Sequence, residues 1–76
     1  MPGIRVRISG VTIWMYTPDH NPPHVHVLAD GLHAKVRIRD GVVFKGRIKA
    51  GTYRKVRAWL NGNRDMLLEQ WKELNQ

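Results

Sequence analysis

Polar and apolar residues alternate strictly through Ile4-Arg5-Val6-Arg7-Ile8 and again through Val11-Thr12-Ile13-Trp14-Met15-Tyr16. A period of two predicts strands with one apolar face, and the intervening Ser9-Gly10 is a two-residue hairpin signal. That register sets Ile8 against Val11, Val6 against Ile13 and Ile4 against Met15. Arg5, Arg7, Thr12, Trp14 and Tyr16 fall on the other face, with Arg5 across from Trp14 at cation–π range. A second hairpin is predicted from residues 24–29 and 32–39 around Asp30-Gly31, a pair favoured in type I′ turns. Val25, Val27, Ala29, Leu32, Ala34, Val36 and Ile38 share its apolar face, and His24, His26, Leu28, His33, Lys35, Arg37 and Arg39 share the opposite one.

The next turn is decided by the same alternation. A two-residue Asp40-Gly41 loop would set Arg39 against Val42 and mix cations into the apolar side. A three-residue loop, Arg39-Asp40-Gly41, avoids this when Gly41 takes the left-handed position of a bulge. It pairs Ile38 with Val42, Val36 with Phe44, Arg37 with Val43 and Lys35 with Lys45.

From Thr52 the period becomes helical, with Tyr53, Val56, Trp59 and Leu60 in one stripe and Arg54, Lys55 and Arg57 off it. Asn61-Gly62-Asn63 interrupts the pattern and offers caps. A second helix is therefore expected from about Arg64, turning Leu67, Trp71 and Leu74 inward and Asp65, Glu69 and Glu73 outward. The expected fold is α+β: an antiparallel sheet of four to five strands built from hairpins, then two C-terminal helices packed on one sheet face.

At 76 residues the chain is expected to be a single domain spanning residues 1–76, burying about 60% of its unfolded surface. The absence of cysteine excludes a disulfide framework and a thiolate metal site. The N-terminus shows no signal pattern, and no apolar run approaches the roughly 18 residues of a membrane helix. These features lead to the expectation of a cytoplasmic protein without membrane contact, and no cofactor is implied.

Charge changes this picture. Residues through Arg57 hold eleven of the thirteen Lys and Arg against three acids, and between Lys35 and Arg57 nine cations face Asp40 alone. Such a potential favours polyanions or acidic partners. The uncovered sheet face is the candidate surface, presenting Arg5, Arg7, Lys35, Arg37, Arg39, Lys45, Arg47 and Lys49 interleaved with Trp14, Tyr16, His24, His26 and His33. Phosphates would neutralise the cations with release of counterions, and the rings could stack on unpaired bases. The bland counterpart is a solvated sheet face, or one covered by another protein, a second copy of the chain included.

Asp19-His20-Asn21-Pro22-Pro23-His24-Val25-His26 packs three of the four histidines around a Pro-Pro corner, and three readings stand. His24 and His26 project the same way from a strand and could join Asp19 and His20 as ligands to zinc or a similar ion, although Arg37 across from His24 and Lys35 across from His26 oppose a divalent cation. The same two histidines could move protons in RNA cleavage without metal, since imidazole titrates near neutrality. The third reading is structural: an Asx turn at Asp19 or Asn21, the chain fixed by Pro22-Pro23, and histidines that hydrogen-bond the corner.

Met15-Tyr16 followed by that motif resembles the signature of a family of small prokaryotic proteins known as a domain of unknown function. The resemblance covers nearly the whole chain, from the opening Met1-Pro2-Gly3-Ile4 to Trp59-Leu60, Arg64-Asp65, Leu67-Leu68 and Trp71. It implies a component of a toxin–antitoxin-like pair, encoded beside another small protein that would be its partner. Family members usually place an aromatic where this chain has Val25, and tend to carry acids where it has Lys35, Arg37 and Arg39. The expected function is thus binding of nucleic acid, RNA rather than DNA, or of an acidic protein, with a small ribonuclease or metal-binding hydrolase built on His24 and His26 as the alternative.

Overall fold

A computed structural model describes residues 3–16 and 22–74. Five strands run in chain order across one antiparallel sheet: β1 (Gly3–Ile8), β2 (Val11–Tyr16), β3 (His24–Ala29), β4 (Leu32–Arg37) and β5 (Val43–Gly46). A helix, α1 (Ala50–Leu74), follows. The first two hairpins form as their turn residues dictate: Ser9 and Gly10 have φ of 46° and 78°, Asp30 and Gly31 of 54° and 73°, the double positive φ of a type I′ turn. Arg5 stands opposite Trp14, His24 opposite Arg37 and His26 opposite Lys35, the pairings that alternation requires.

The inward face of the sheet meets the helix. Val11, Ile13, Met15, Val25, Val27, Val36 and Ile38 form a single buried cluster with Val56, Leu60, Leu67 and Trp71 of α1, which passes closest to β2. Except at His24, which Trp71 of the helix reaches, the opposite sheet face is left without a covering element among the described residues.

Two expectations are corrected. In place of two helices there is one, uninterrupted through Asn61-Gly62-Asn63. Its buried positions, Thr52, Val56, Leu60, Leu67 and Trp71, form one stripe whose open step is filled by Arg64, which donates from Nε to the Ile38 carbonyl at 2.8 Å. Burying a side chain such as Leu67 stabilises by roughly 1.5–3 kcal/mol, whereas a glycine inside a helix costs only about 1 kcal/mol. Packing therefore overrides the local stop signal. Asn63 turns its amide back to the Trp59 carbonyl at 2.8 Å instead of capping.

The third hairpin also differs. Arg37 donates to the Val42 carbonyl and Gly41 to the Arg37 carbonyl, both at 2.8 Å, so four residues, Ile38 to Gly41, make the loop. Gly41 does adopt the left-handed conformation, φ 74°. Lys35 still faces Lys45, but Val36 faces Val43, and Phe44 becomes the extra residue of a bulge. The cause lies in Ile38, fully buried and donating its N–H to the Pro23 carbonyl at 3.0 Å. Holding Ile38 in the core lengthens the loop by one residue and shifts Val42 and Val43 along β4.

Gly62 separates the one-helix from the two-helix arrangement by experiment. A Cβ there would meet nothing within 4 Å, so Gly62→Ala should stabilise the protein by about 1 kcal/mol in chemical denaturation. A helix stop at Gly62 would instead make the substitution destabilising.

Candidate nucleic-acid interface

Strand register lines up a row on the uncovered face: Arg5, Trp14, His26, Lys35 and Lys45 are successive neighbours across all five strands. A second row runs Arg7, Thr12, Leu28, His33. No carboxylate stands on any of the described strands, and Lys35 directly faces Lys45. Like charges so placed destabilise a sheet. Arg5, Arg7 and Lys45 are exposed and Lys35 half-buried.

Aromatic rings hold the middle of the face. The Trp14 indole lies 5.2 Å from the His26 ring and 5.5 Å from the His33 ring, parallel to each within 10°. The two imidazoles are within 7° of each other, with His26 Nδ1 and His33 Nε2 3.2 Å apart. One of those nitrogens must carry the proton the other accepts. His33 sits on the diagonal from His26 across the hairpin, a separation long side chains can span; that diagonal was the available signal for the contact. Arg5, Thr12, Trp14 and Leu28 line a hollow of about 140 Å³. His33, Lys35, Lys45 and Gly46 line one of about 410 Å³.

His24 stands apart from this group. Only 2% exposed, its ring packs 5.2 Å from Trp71 of the helix, 5.4 Å edge-on from Phe44 and 5.1 Å from His26. The Pro22 carbonyl accepts from its Nδ1 at 2.7 Å, which fixes the proton on that nitrogen. The bulge supplies part of this enclosure by bringing Phe44 to His24, and strand alternation carried no sign of that. Phosphoryl transfer with two proton carriers needs them on opposite sides of a phosphorus atom. Here His24 is enclosed, whereas the His26 and His33 rings touch each other.

The remaining candidates divide by position. Arg47 and Lys49, expected on the sheet face, lie in the connection between β5 and α1. Arg39 is exposed in the third hairpin loop and, with Pro22, Pro23, Arg37 and Leu68, borders a cleft of about 230 Å³. Tyr16 ends β2. Asp19 and His20 lie outside the described residues, and among the described ones no group of three or more histidines and carboxylates could hold a metal ion. No described helix is long and apolar enough to cross a membrane.

The family model for a domain of unknown function, DUF4160, matches residues 10–72. The chain belongs to the DUF4160 family. The match takes in four of the five strands and nearly all of the helix of this DUF4160 chain. No curated protein and no solved structure matches it.

Arg37 is committed within the protein. Its guanidinium donates through Nε to one Asp40 oxygen at 2.8 Å and through a second nitrogen to the other, while Asp40 also accepts from the Val42 N–H at 3.1 Å. The Arg37 hydrogen bond, followed by the Val42 N–H, holds the Asp40 carboxyl down at about 2 from an ordinary 3.8. A carboxylate lowered in this way favours the folded state fully above its ordinary value and loses that contribution as pH falls through about 2. Asp40→Asn should therefore lower the thermal midpoint near neutral pH, and the gap from the parent protein should close between about pH 4 and pH 2. A gap unchanged over that range would assign the effect to neutral hydrogen bonds instead of the charge.

Proposed function

We propose that this protein binds single-stranded nucleic acid, RNA in preference to DNA, through the uncovered sheet face. The observation that carries this reading is the cross-strand row Arg5, Trp14, His26, Lys35, Lys45, cationic at both ends, with near-parallel rings of Trp14, His26 and His33 at its centre. Cations that face one another without a carboxylate gain when phosphates arrive, and aromatic rings at the middle of a sheet suit unstacked bases, which a duplex does not offer. The ribonuclease reading on His24 and His26 has less support, because His24 is enclosed by Trp71 and Phe44. By resemblance, the protein is one member of a toxin–antitoxin-like pair, with a small protein encoded beside it as partner; the lack of a signal pattern and of a membrane-length apolar run in the sequence suits action in the cytoplasm.

Four phosphate contacts, at Arg5, Arg7, Lys35 and Lys45, with a slope of about 0.7 each, would weaken binding of a mixed-sequence single strand about fiftyfold between roughly 50 and 200 mM salt. Fluorescence anisotropy measures this directly, and binding that is absent or indifferent to salt would refute the proposal. Trp14→Ala should cost about 1–3 kcal/mol of binding if the indole supports a base, read from the same titration at fixed salt.

A further inference from the structure

The hollow of about 410 Å³ at the β4–β5 end of the row has a charge that an internal phosphate cannot match. Lys35 and Lys45 face each other across it, and neither has a carboxylate partner among the described residues. Its backbone lining requires a glycine at position 46. Gly46, φ 85°, pairs with Ala34, and a Cβ on it would lie 2.1 Å from the His33 carbonyl oxygen. The Arg47 N–H bonds that same oxygen at 3.0 Å, so the backbone beneath the hollow is fixed. His33 closes the side toward Trp14 and His26.

We infer that this hollow is a phosphomonoester pocket, seating the terminal phosphate of a nucleic-acid strand whose adjoining base lies toward the Trp14, His26 and His33 rings. This rests on the nucleic-acid reading and specifies which part of the strand is held where. A phosphodiester carries one negative charge, whereas a terminal phosphate carries about −1.5 to −2 near neutral pH and has three acceptor oxygens. Two ammonium groups balance the second, whereas the first would leave half of their own charge uncompensated. His33 adds a ring donor: when its Nε2 accepts from His26 Nδ1, its neutral ring carries the proton on Nδ1. The volume exceeds that of a phosphate alone and falls in the range of small-ligand sites, with room for the attached sugar. The pocket lies at β5, the edge of the sheet, where the row of rings and cations stops, as suits a strand end.

The test compares one RNA sequence in three forms, with 5′-phosphate, with 3′-phosphate and with hydroxyl at both ends, and adds a nucleoside monophosphate as competitor. One phosphorylated form should bind about tenfold tighter than the hydroxyl form, since two charge-assisted contacts depend on the dianion. The nucleoside monophosphate should compete away that advantage. Lys45→Gln, at an exposed position, should erase the preference, with circular dichroism confirming the fold. Equal, salt-sensitive binding of all three forms would overturn the pocket and leave the interface reading intact. Failure of every strand and of the nucleoside monophosphate to bind would overturn both. Saturable binding of the nucleoside monophosphate without strand binding would overturn the strand-end pocket together with the interface reading, leaving a site for a small phosphomonoester.

Discussion

A single helix can cover one face of a five-stranded sheet and no more, and this asymmetry of coverage governs the rest of the structure. The stripe Thr52, Val56, Leu60, Leu67 and Trp71 seals the face carrying Ile13, Met15, Val25, Val27 and Val36. Local chemistry does little to hold α1 together. Its first turn has no acid, Arg54, Lys55 and Arg57 crowd the N-terminal half, and Asp65, Glu69 and Glu73 sit in the C-terminal half, against the helix dipole. Docking on the sheet is what keeps the helix whole, through Gly62 as well. The same docking leaves the other face to solvent or to a partner.

That second face is built at a cost to the fold. Lysines directly opposed, arginines beside them and no strand carboxylate give repulsion that external anions would relieve. The Trp14, His26 and His33 rings offset part of it by packing together, and their near-parallel arrangement makes a polar-aromatic centre among the cationic side chains. Not all cations contribute equally. Arg37 is taken up by Asp40, which keeps the third hairpin loop in shape while Tyr53 donates to the Gly41 carbonyl from the helix at 2.5 Å. The loop, the helix and the end of β4 are thereby joined into one unit next to the Pro22-Pro23 corner.

Much of the scaffold was legible because strand alternation has a period of two and tight turns admit few residues. Ser9-Gly10 and Asp30-Gly31 settle two hairpins, and those settle which residues oppose Trp14, His24 and His26. The helix runs through Asn61-Gly62-Asn63 because cap and breaker preferences there amount to about 1 kcal/mol each, less than the burial available on the far side of them. The third hairpin departs by one residue from what alternation requires because the burial of Ile38 and its bond to Pro23 are nonlocal. His24 showed the same limit: alternation put it on the basic face, but the face alone does not say that Trp71 and Phe44 will close around it.

The sequence by itself determined the first two hairpins, the separation of apolar from cationic faces, and the pairings of Arg5 with Trp14 and of His26 with Lys35, since each follows from period and turn chemistry along adjacent segments; the pairing of Trp14 with His26, which joins the two hairpins into one row, came only with the tertiary structure. Tertiary structure alone decided that the helix is continuous, that His26 joins His33 while His24 is enclosed, and that Lys35, Lys45 and Gly46 surround a hollow. The helix and the enclosure of His24 depend on contacts between residues far apart in the chain, where small local preferences are outweighed by the free energy of packing; the ring contact and the hollow depend on how neighbouring side chains settle, which alternation does not specify.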